Sequence, residues 1–278
     1  MTNRKPSSLG TVGTFLREGD CSNTLFCVLD RACGHPMKNE ERASLPFAGG
    51  LMQHGYQCGM LWGAALAAGA RACREFGPTP LAESKAIVAA KRLVDAFRAR
   101  THEINCFEIT SVNKSASAMK LLVYFIFKAG AARCFSMSAG YARTAYDEID
   151  KAMAEAPVEV PAAPVSCAAE LIHKMGASEE HATVAAGLAG GIGLCGGACG
   201  ALGAAIWLKT LRTLEAGAAK PDFKSPQAQE VIDRFLKHTG YEFDCAKIVG
   251  RKFESPSDHA AHVRSGGCSK LIEVLAAA

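Results

Sequence analysis

Hydrophobic residues recur along most of this chain at the three- and four-residue spacing of amphipathic helices, and strand-like alternation is rare. In the segment that follows Thr79, for example, Ile87, Val94 and Phe97 fall on one helical face. One strongly apolar run, residues 121–127 (LLVYFIF), is compatible with a helix or a strand. The pattern as a whole predicts an all-α protein built from small helical bundles.

A single stretch divides this helical pattern into two parts. Residues 155–164 (EAPVEVPAAP) contain three prolines and no helical periodicity, which is typical of a linker. A chain of 278 residues is also long for one hydrophobic core. We therefore predict a first helical domain over residues 9–154 and a second over residues 165–278.

The two parts repeat the same order of landmarks. Gly49 to Ala65 (GGLMQHGYQCGMLWGAA) aligns without a gap with Gly190 to Ala205 (GGIGLCGGACGALGAA), so that Cys58 falls on Cys199. The next matched cysteine, Cys106 or Cys245, follows after 48 residues in the first half and 46 in the second, and the last one, Cys134 or Cys268, follows after a further 28 and 23. This order predicts two homologous domains related by internal duplication.

Composition limits the partners that such a protein can have. The 31 basic and 27 acidic residues are scattered, which argues against nucleic acid as a partner. Residues 182–208 carry no charge but are mostly Ala and Gly, so we expect no membrane span. Twelve cysteines without an N-terminal apolar segment indicate a reducing, cytoplasmic location, where cysteines serve metal binding or redox chemistry more often than structural disulfides.

Each half resembles the redox-active family known by its cysteine pattern, C_GCAxxG_C_C. The resemblance covers nearly the whole chain and implies redox activity with a metal or iron–sulfur centre. In the first half Met60 stands where the family prefers Ala, and Cys27 is a rival of Cys21 for the first position. The residues that carry the resemblance are Cys21, Cys58-Gly59, Gly63, Cys106 and Cys134, and then Cys167, Cys199-Gly200-Ala201, Gly203, Cys245 and Cys268.

Four repeated cysteines per half match the ligand count of an iron–sulfur cluster, which needs no fixed local spacing when the fold supplies the geometry. The neighbouring glycines let backbone N–H groups approach the sulfur atoms. We therefore predict a protein that binds such a cluster through convergent thiolates and exchanges electrons with a redox partner protein or a small electron carrier. The candidate ligands are Cys21, Cys58, Cys106, Cys134, Cys167, Cys199, Cys245 and Cys268, with His54 and Cys195 as extra candidates.

Three other interpretations stay open. In a thiol–disulfide oxidoreductase without a cofactor, Cys199 is the candidate nucleophile because it follows a Gly-rich loop and opens a helix, and Cys195 is its resolving partner. Non-catalytic metal or haem binding is a second interpretation, although the wide cysteine spacing disfavours structural zinc. Buried cysteines that only pack, such as Cys33 and Cys73, are the third. Whether the chain is an enzyme and whether it forms a homodimer are left open.

Overall fold

The structure is a computed structural model that describes residues 5–34, 36–116, 130–156, 160–223 and 225–278. These residues form fourteen α-helices, two short 3-10 helices and no extended strand, so the all-α prediction is confirmed for this part of the chain. The apolar run at residues 121–127 lies outside the described residues. No helix among the described residues is long and apolar enough to cross a membrane.

The helices divide evenly between the two halves of the chain. Those of the first half are α1 (Ser8–Glu18), α2 (Cys21–Ala32), α3 (Lys38–Arg42), α4 (Gly59–Phe76), α5 (Pro80–Thr101), α6 (Cys106–Thr110) and α7 (Gly130–Ala154). Those of the second half are α8 (Cys167–Lys174), α9 (Glu179–Ala185), α10 (Gly200–Glu215), α11 (Pro226–His238), α12 (Cys245–Val249), α13 (Pro256–Arg264) and α14 (Ser269–Ala276). The 3-10 helices are Leu45–Phe47 and Ala186–Leu188.

Helix starts coincide with capping residues that the sequence displays. The side chains of Thr79 and Ser178 accept hydrogen bonds from backbone N–H groups at the first turns of α5 and α9. Asp20 caps α2 in the same way. Helix α13 was not predicted, although its Ser255 cap and its proline at the first helical position are ordinary start signals.

The buried side chains of both halves form one continuous hydrophobic core. Helix α4 packs between α2 and α5 of its own half and also against α9 of the second half. The indole of Trp207 crosses between the halves and donates to the Glu40 carbonyl at 3.0 Å. The division into domains at residues 155–164 stays a prediction.

Helix α5 makes contacts through two buried polar side chains, and one of these contacts reaches the second half. The ammonium group of Lys85 donates to the carbonyl oxygens of Ala152 and Met153, at 2.8 and 3.1 Å, and so satisfies the end of α7. The carboxyl group of Glu83 accepts the Ser166 backbone N–H at 3.0 Å, directly before α8. Burial raises the pKa of Glu83 to about 7.

The Gly-Gly segment of each half forms a short left-handed turn. From Gly49 to Gln53 five consecutive φ angles lie between +49° and +74°, and from Gly190 to Leu194 five lie between +55° and +75°. A left-handed conformation costs a residue with a side chain about 1–2 kcal/mol. Three residues of the first turn and two of the second carry this cost, so the surrounding packing must hold both turns in place.

The close approach of the second turn to α5 can be tested at Gly193. A Cβ atom there would lie 2.1 Å from the Lys91 backbone nitrogen, whereas one at Gly176, which is also left-handed, would have nothing within 4 Å. We expect Gly193→Ala to lower the free energy of unfolding by at least about 2 kcal/mol more than Gly176→Ala in urea denaturation. Equal costs would show that the turn does not depend on its contact with α5.

The raised pKa of Glu83 predicts a pH dependence of stability. Its folded-state pKa of about 7 lies above the ordinary value of 4.5, so its contribution is fully present below pH 4.5 and is lost as the pH rises through 7. Across this range Glu83→Gln should gain about 2–3 kcal/mol of unfolding free energy relative to the unaltered protein. Urea denaturation at several pH values measures this difference, and the exposed Glu273→Gln, as control, should show none.

Candidate functional site

The loop that follows each left-handed turn places the central cysteine at the start of a long helix. Cys58 is the N-cap residue of α4 and Cys199 that of α10. Their backbone N–H groups donate to the carbonyls of Ile104 and Phe243, at 2.7 and 2.8 Å, just before the third cysteine of each half. The central and third cysteines of each half are therefore held together by the backbone.

The third cysteine is bound back to the turn in the same way in both halves. The N–H of Cys106 donates to the Tyr56 carbonyl and that of Cys245 to the Gly197 carbonyl, both at 2.7 Å. Tyr56 and Gly197 occupy equivalent places two residues before the central cysteine. The same hydrogen bonds thus recur at matched positions of the two halves.

The first cysteine of each half opens its own helix. Cys21 is the first residue of α2 and Cys167 the first residue of α8. The backbone N–H of Gly49 donates to the Cys21 sulfur, and that of Gly190 donates to the Cys167 sulfur. These glycines are the first residues of the two left-handed turns, so each turn supplies an N–H group to one cysteine and the backbone that carries another.

In the first half the four repeated cysteines line one cavity of about 490 Å³. Its walls are otherwise mainly apolar and include Phe15, Phe135 and Met137. The volume is in the range of sites that hold cofactors and small ligands. The cysteines that the cavity brings together are Cys21, Cys58, Cys106 and Cys134.

Two thiols of this cavity, those of Cys21 and Cys106, have raised pKa values. A hydrogen bond with Cys58, followed by burial, raises the pKa of Cys21. Burial and the neighbouring Cys21 raise the pKa of Cys106 to about 12. Several thiolates at one buried place repel one another, so ionisation of the set requires a positive partner.

A buried carboxyl group also lines the cavity of the first half. Asp20 caps α2 through its Oδ1 atom, which accepts from the Asn23 N–H at 2.8 Å. Its Oδ2 atom is buried without a hydrogen-bond partner, and burial raises the Asp20 pKa to about 6. A buried polar atom without a partner, in the wall of a cavity, is a place where a ligand commonly completes the bonding.

The glycine that follows each central cysteine makes room for these contacts. A Cβ atom on Gly59 would lie 2.7 Å from the Cys21 sulfur and 3.0 Å from the Phe47 carbonyl oxygen. Only glycine therefore lets the start of α4 approach α2 closely enough for Cys58 and Cys21 to meet. This contact is the structural reason for the Cys-Gly pair that the sequence repeats.

The four repeated cysteines of the second half also lie near one another. The charge of Cys167 acts on Cys199, Cys245 and Cys268, and the charge of Cys199 acts on Cys245 and Cys268. Burial is the first cause of the raised pKa of each of these three thiols, and that of Cys199 reaches about 12. A Cys199 thiol held neutral does not favour its predicted role as nucleophile.

Two histidines distinguish the second half from the first. His259 forms a hydrogen bond with Cys167 and, through Nδ1, another with the Val165 carbonyl at 2.8 Å. The Nε2 atom of His262 lies 3.6 Å from the Cys268 sulfur. Burial alone would raise the pKa of Cys167. The charge of His259 and the hydrogen bonds to the Cys167 sulfur nevertheless lower this pKa. Sequence reasoning missed both histidines because they match no metal-binding motif, yet their spacing puts them on one face of α13.

The two extra candidates of the sequence analysis lie elsewhere. The thiol of Cys195 donates to the Gly191 carbonyl at 2.7 Å, next to the second site. His54 lines a separate pocket with Lys114, and its ring lies 5.0 Å from that of Phe243. Burial, followed by the charge of Lys114, lowers the pKa of His54. A role of either residue as a ligand stays a prediction.

The remaining cysteines of the first half have other neighbours. Cys27 is fully buried beside Glu41, while its rival Cys21 lines the cavity. Cys33 accepts a hydrogen bond from Arg71 at 3.2 Å. Cys73 is buried at the surface of α4 that faces the second half, where it contacts Thr183.

One buried side chain connects the two cysteine sites. Gln57, directly before Cys58, donates through Nε2 to the Gly191 carbonyl and accepts the Ala198 N–H through Oε1, both at 3.0 Å. Gly191 and Ala198 belong to the loop that carries Cys199. The position of one loop therefore depends on the position of the other.

Comparison with known proteins places these features in a family context. A family model described as "Putative redox-active protein (C_GCAxxG_C_C)" matches residues 20–147 and again residues 165–278. No curated protein and no solved structure matches the chain. Among the described residues no group of three or more His, Cys, Asp or Glu side chains is arranged to hold a metal ion.

Proposed function

Because the chain belongs to the C_GCAxxG_C_C family of redox-active proteins, matched in two tandem copies, we propose that it is a cysteine-based redox protein whose first half binds an iron–sulfur cluster and transfers electrons. The observation that carries this proposal is the convergence of four cysteines, from four separate elements, on one cavity of about 490 Å³. Cys21, Cys58, Cys106 and Cys134 would be the ligands.

The chemistry of the donor set fits a cationic iron centre. Four thiols match the common ligand count of iron–sulfur clusters. The raised pKa values of Cys21 and Cys106 indicate that these thiols lack a positive partner, and iron would supply one. Among the described residues the cysteines are not arranged as metal ligands, so binding would have to draw the sulfur atoms together.

The residues around the cysteines have distinct roles in the proposed site. The N–H group of Gly49 donates to the Cys21 sulfur, and such bonds to ligand sulfur raise the reduction potential of a cluster. The apolar side chains of Phe15 and Phe135, which form a T-shaped pair at 4.7 Å, limit the access of water to the cavity. A bound cluster supplies one-electron transfer. The predicted partner, a redox protein or a small electron carrier, stays a prediction.

The matched hydrogen bonds of the two halves also support an origin by internal duplication. Both Gly-Gly turns, both central caps and both links to the third cysteine recur at equivalent positions. We infer that the halves are homologous helical units that share one core. The divergence of their cysteine surroundings then followed the duplication.

Anaerobic purification tests the cluster. We expect a brown protein with about two to four iron atoms and matching sulfide per chain. Cys58→Ser should abolish both, because Cys58 holds the centre of the proposed site. Cys33→Ser should retain both, since Cys33 pairs with Arg71 outside the cavity.

Three outcomes would contradict the proposal. They are a colourless, iron-free protein from anaerobic cells, iron that survives Cys58→Ser, and a Soret band, which would assign the cavity to haem. Circular dichroism of Cys58→Ser separates loss of the cluster from loss of the fold.

A further inference from the structure

A polar pocket of about 310 Å³ lies beside the cysteine cavity of the first half. Gln53, the last residue of the first left-handed turn, lines both the pocket and the cavity. Thr110 and Val112 also line the cavity, and the three residues that follow Val112 line the pocket. The two spaces are therefore neighbours, and the pocket has no role in the proposed cluster site.

The walls of this pocket come from two segments that are bonded to each other. The Lys114 backbone N–H donates to the Gln53 carbonyl at 2.6 Å, which joins the segment after α6 to the left-handed turn. His54, the next residue after this turn, lines the same pocket. Asn113 Oδ1 accepts the backbone N–H and the hydroxyl group of Ser115, at 3.3 and 2.8 Å. The hydrogen-bonding capacity left on Asn113 is therefore that of its N–H groups.

One ring nitrogen of this pocket has unused hydrogen-bonding capacity. The Nε2 atom of His54 is buried and has no partner among the described residues. The His54 ring packs against the ring of Phe243, with 5.0 Å between the centroids. A buried polar atom without a partner costs free energy, which a ligand that bonds to it recovers.

The charge next to His54 favours an anion over a cation. The ammonium group of Lys114 donates to the uncharged Oε1 atom of Gln229 at 3.2 Å, and no salt bridge neutralises it within the described part of the chain. The same Gln229 donates through Nε2 to Asp233 of α11 at 2.8 Å. A positive side chain at a pocket repels a metal cation and attracts an anion.

We propose that this pocket binds an oxyanion, the phosphate or carboxylate group of a small molecule, at the edge of the first cysteine cavity. An oxyanion has several acceptor atoms, so it satisfies a set of N–H donors together. This proposal goes beyond the proposed function, since anion binding needs no cluster, and it gives His54 a use other than the predicted metal ligation. The groups that hold the anion are the Lys114 ammonium, the His54 Nε2–H and the side-chain amides of Gln53 and Asn113.

An anion titration tests the site. The full-length protein, purified without phosphate, is titrated with inorganic phosphate and separately with acetate, at one fixed pH and constant ionic strength. Histidine ring signals are followed by NMR, and the His54 signals are identified by their absence in His54→Gln. We expect these signals to shift in a saturable way with at least one anion, with a dissociation constant below about 10 mM. The anion that binds more tightly identifies the group, and a linear response or no response to both would overturn the proposal.

Lysine variants test the charge, with calorimetry as the readout. Lys114→Gln should weaken binding of the tighter anion by about tenfold or more, because it removes the opposite charge. Lys114→Arg keeps the charge and should retain the dissociation constant within about threefold. The exposed Lys174→Gln, in the second half, is the matched control and should change it by less than about twofold. Equal affinities of Lys114→Gln and Lys174→Gln would overturn the proposal.

Two further variants test the neighbours of Lys114. His54→Leu should weaken binding by about tenfold, whereas His54→Gln, whose terminal amide replaces the ring N–H, should retain more of it. Asp233→Asn should tighten binding by about twofold, because it removes a negative charge that Gln229 connects to Lys114. Full affinity in a His54→Leu variant whose circular dichroism is unchanged would overturn the role of this histidine.

The anion site and the cluster fail independently. Lys114→Gln should leave the iron content unchanged, whereas Cys58→Ser should remove the iron and leave anion binding in place. A brown protein that binds neither anion would overturn the anion site alone. An iron-free protein that binds one of them would overturn the cluster alone.

Discussion

The left-handed turn is the constraint on which both cysteine sites depend. Five consecutive residues with positive φ place the chain so that the first glycine donates to one cysteine while the chain runs on to cap a helix with another. Side chains such as Ile192 resist this conformation. The surrounding packing must therefore hold each turn in place, and for the second turn this packing includes the close contact of Gly193 with helix α5.

Much of the fold followed from local patterns. The spacing of apolar residues after Thr79 was sufficient to predict α5, and the repeated Gly-Gly and Cys-Gly pairs predicted the matched positions of the two halves. The contact of α4 with α9 across the halves was not predictable, because α4 is Ala-rich and buried over most of its length, so its sequence does not indicate which face meets another helix. The histidines of α13 were missed for a related reason: their partners lie far away in the chain, so only the fold brings Cys167 to His259.

The clustered thiols of the two halves have different surroundings. In the first half Cys21 and Cys106 line a cavity, and their raised pKa values favour a centre that brings its own positive charge. In the second half His259 lies beside Cys167; despite burial, the charge of Cys167 raises the pKa of His259, and His259 lowers the pKa of Cys167. A similar backbone arrangement thus surrounds the two sets of cysteines with different local electrostatics, because the first cavity is lined by no histidine among the described residues.

Gln57 makes the contact between the two cysteine-bearing loops one-sided. Its equivalent in the second half is Ala198, and a Cβ atom on Gly197 would lie 2.1 Å from the Gln57 amide, so the glutamine fits only against a loop with small residues at these positions. Two identical subunits related by a twofold axis would carry the same residue on both sides and could not form this one-sided contact. The contact therefore needs two halves with different residues at this position, which a single chain provides and a symmetric pair of identical chains does not.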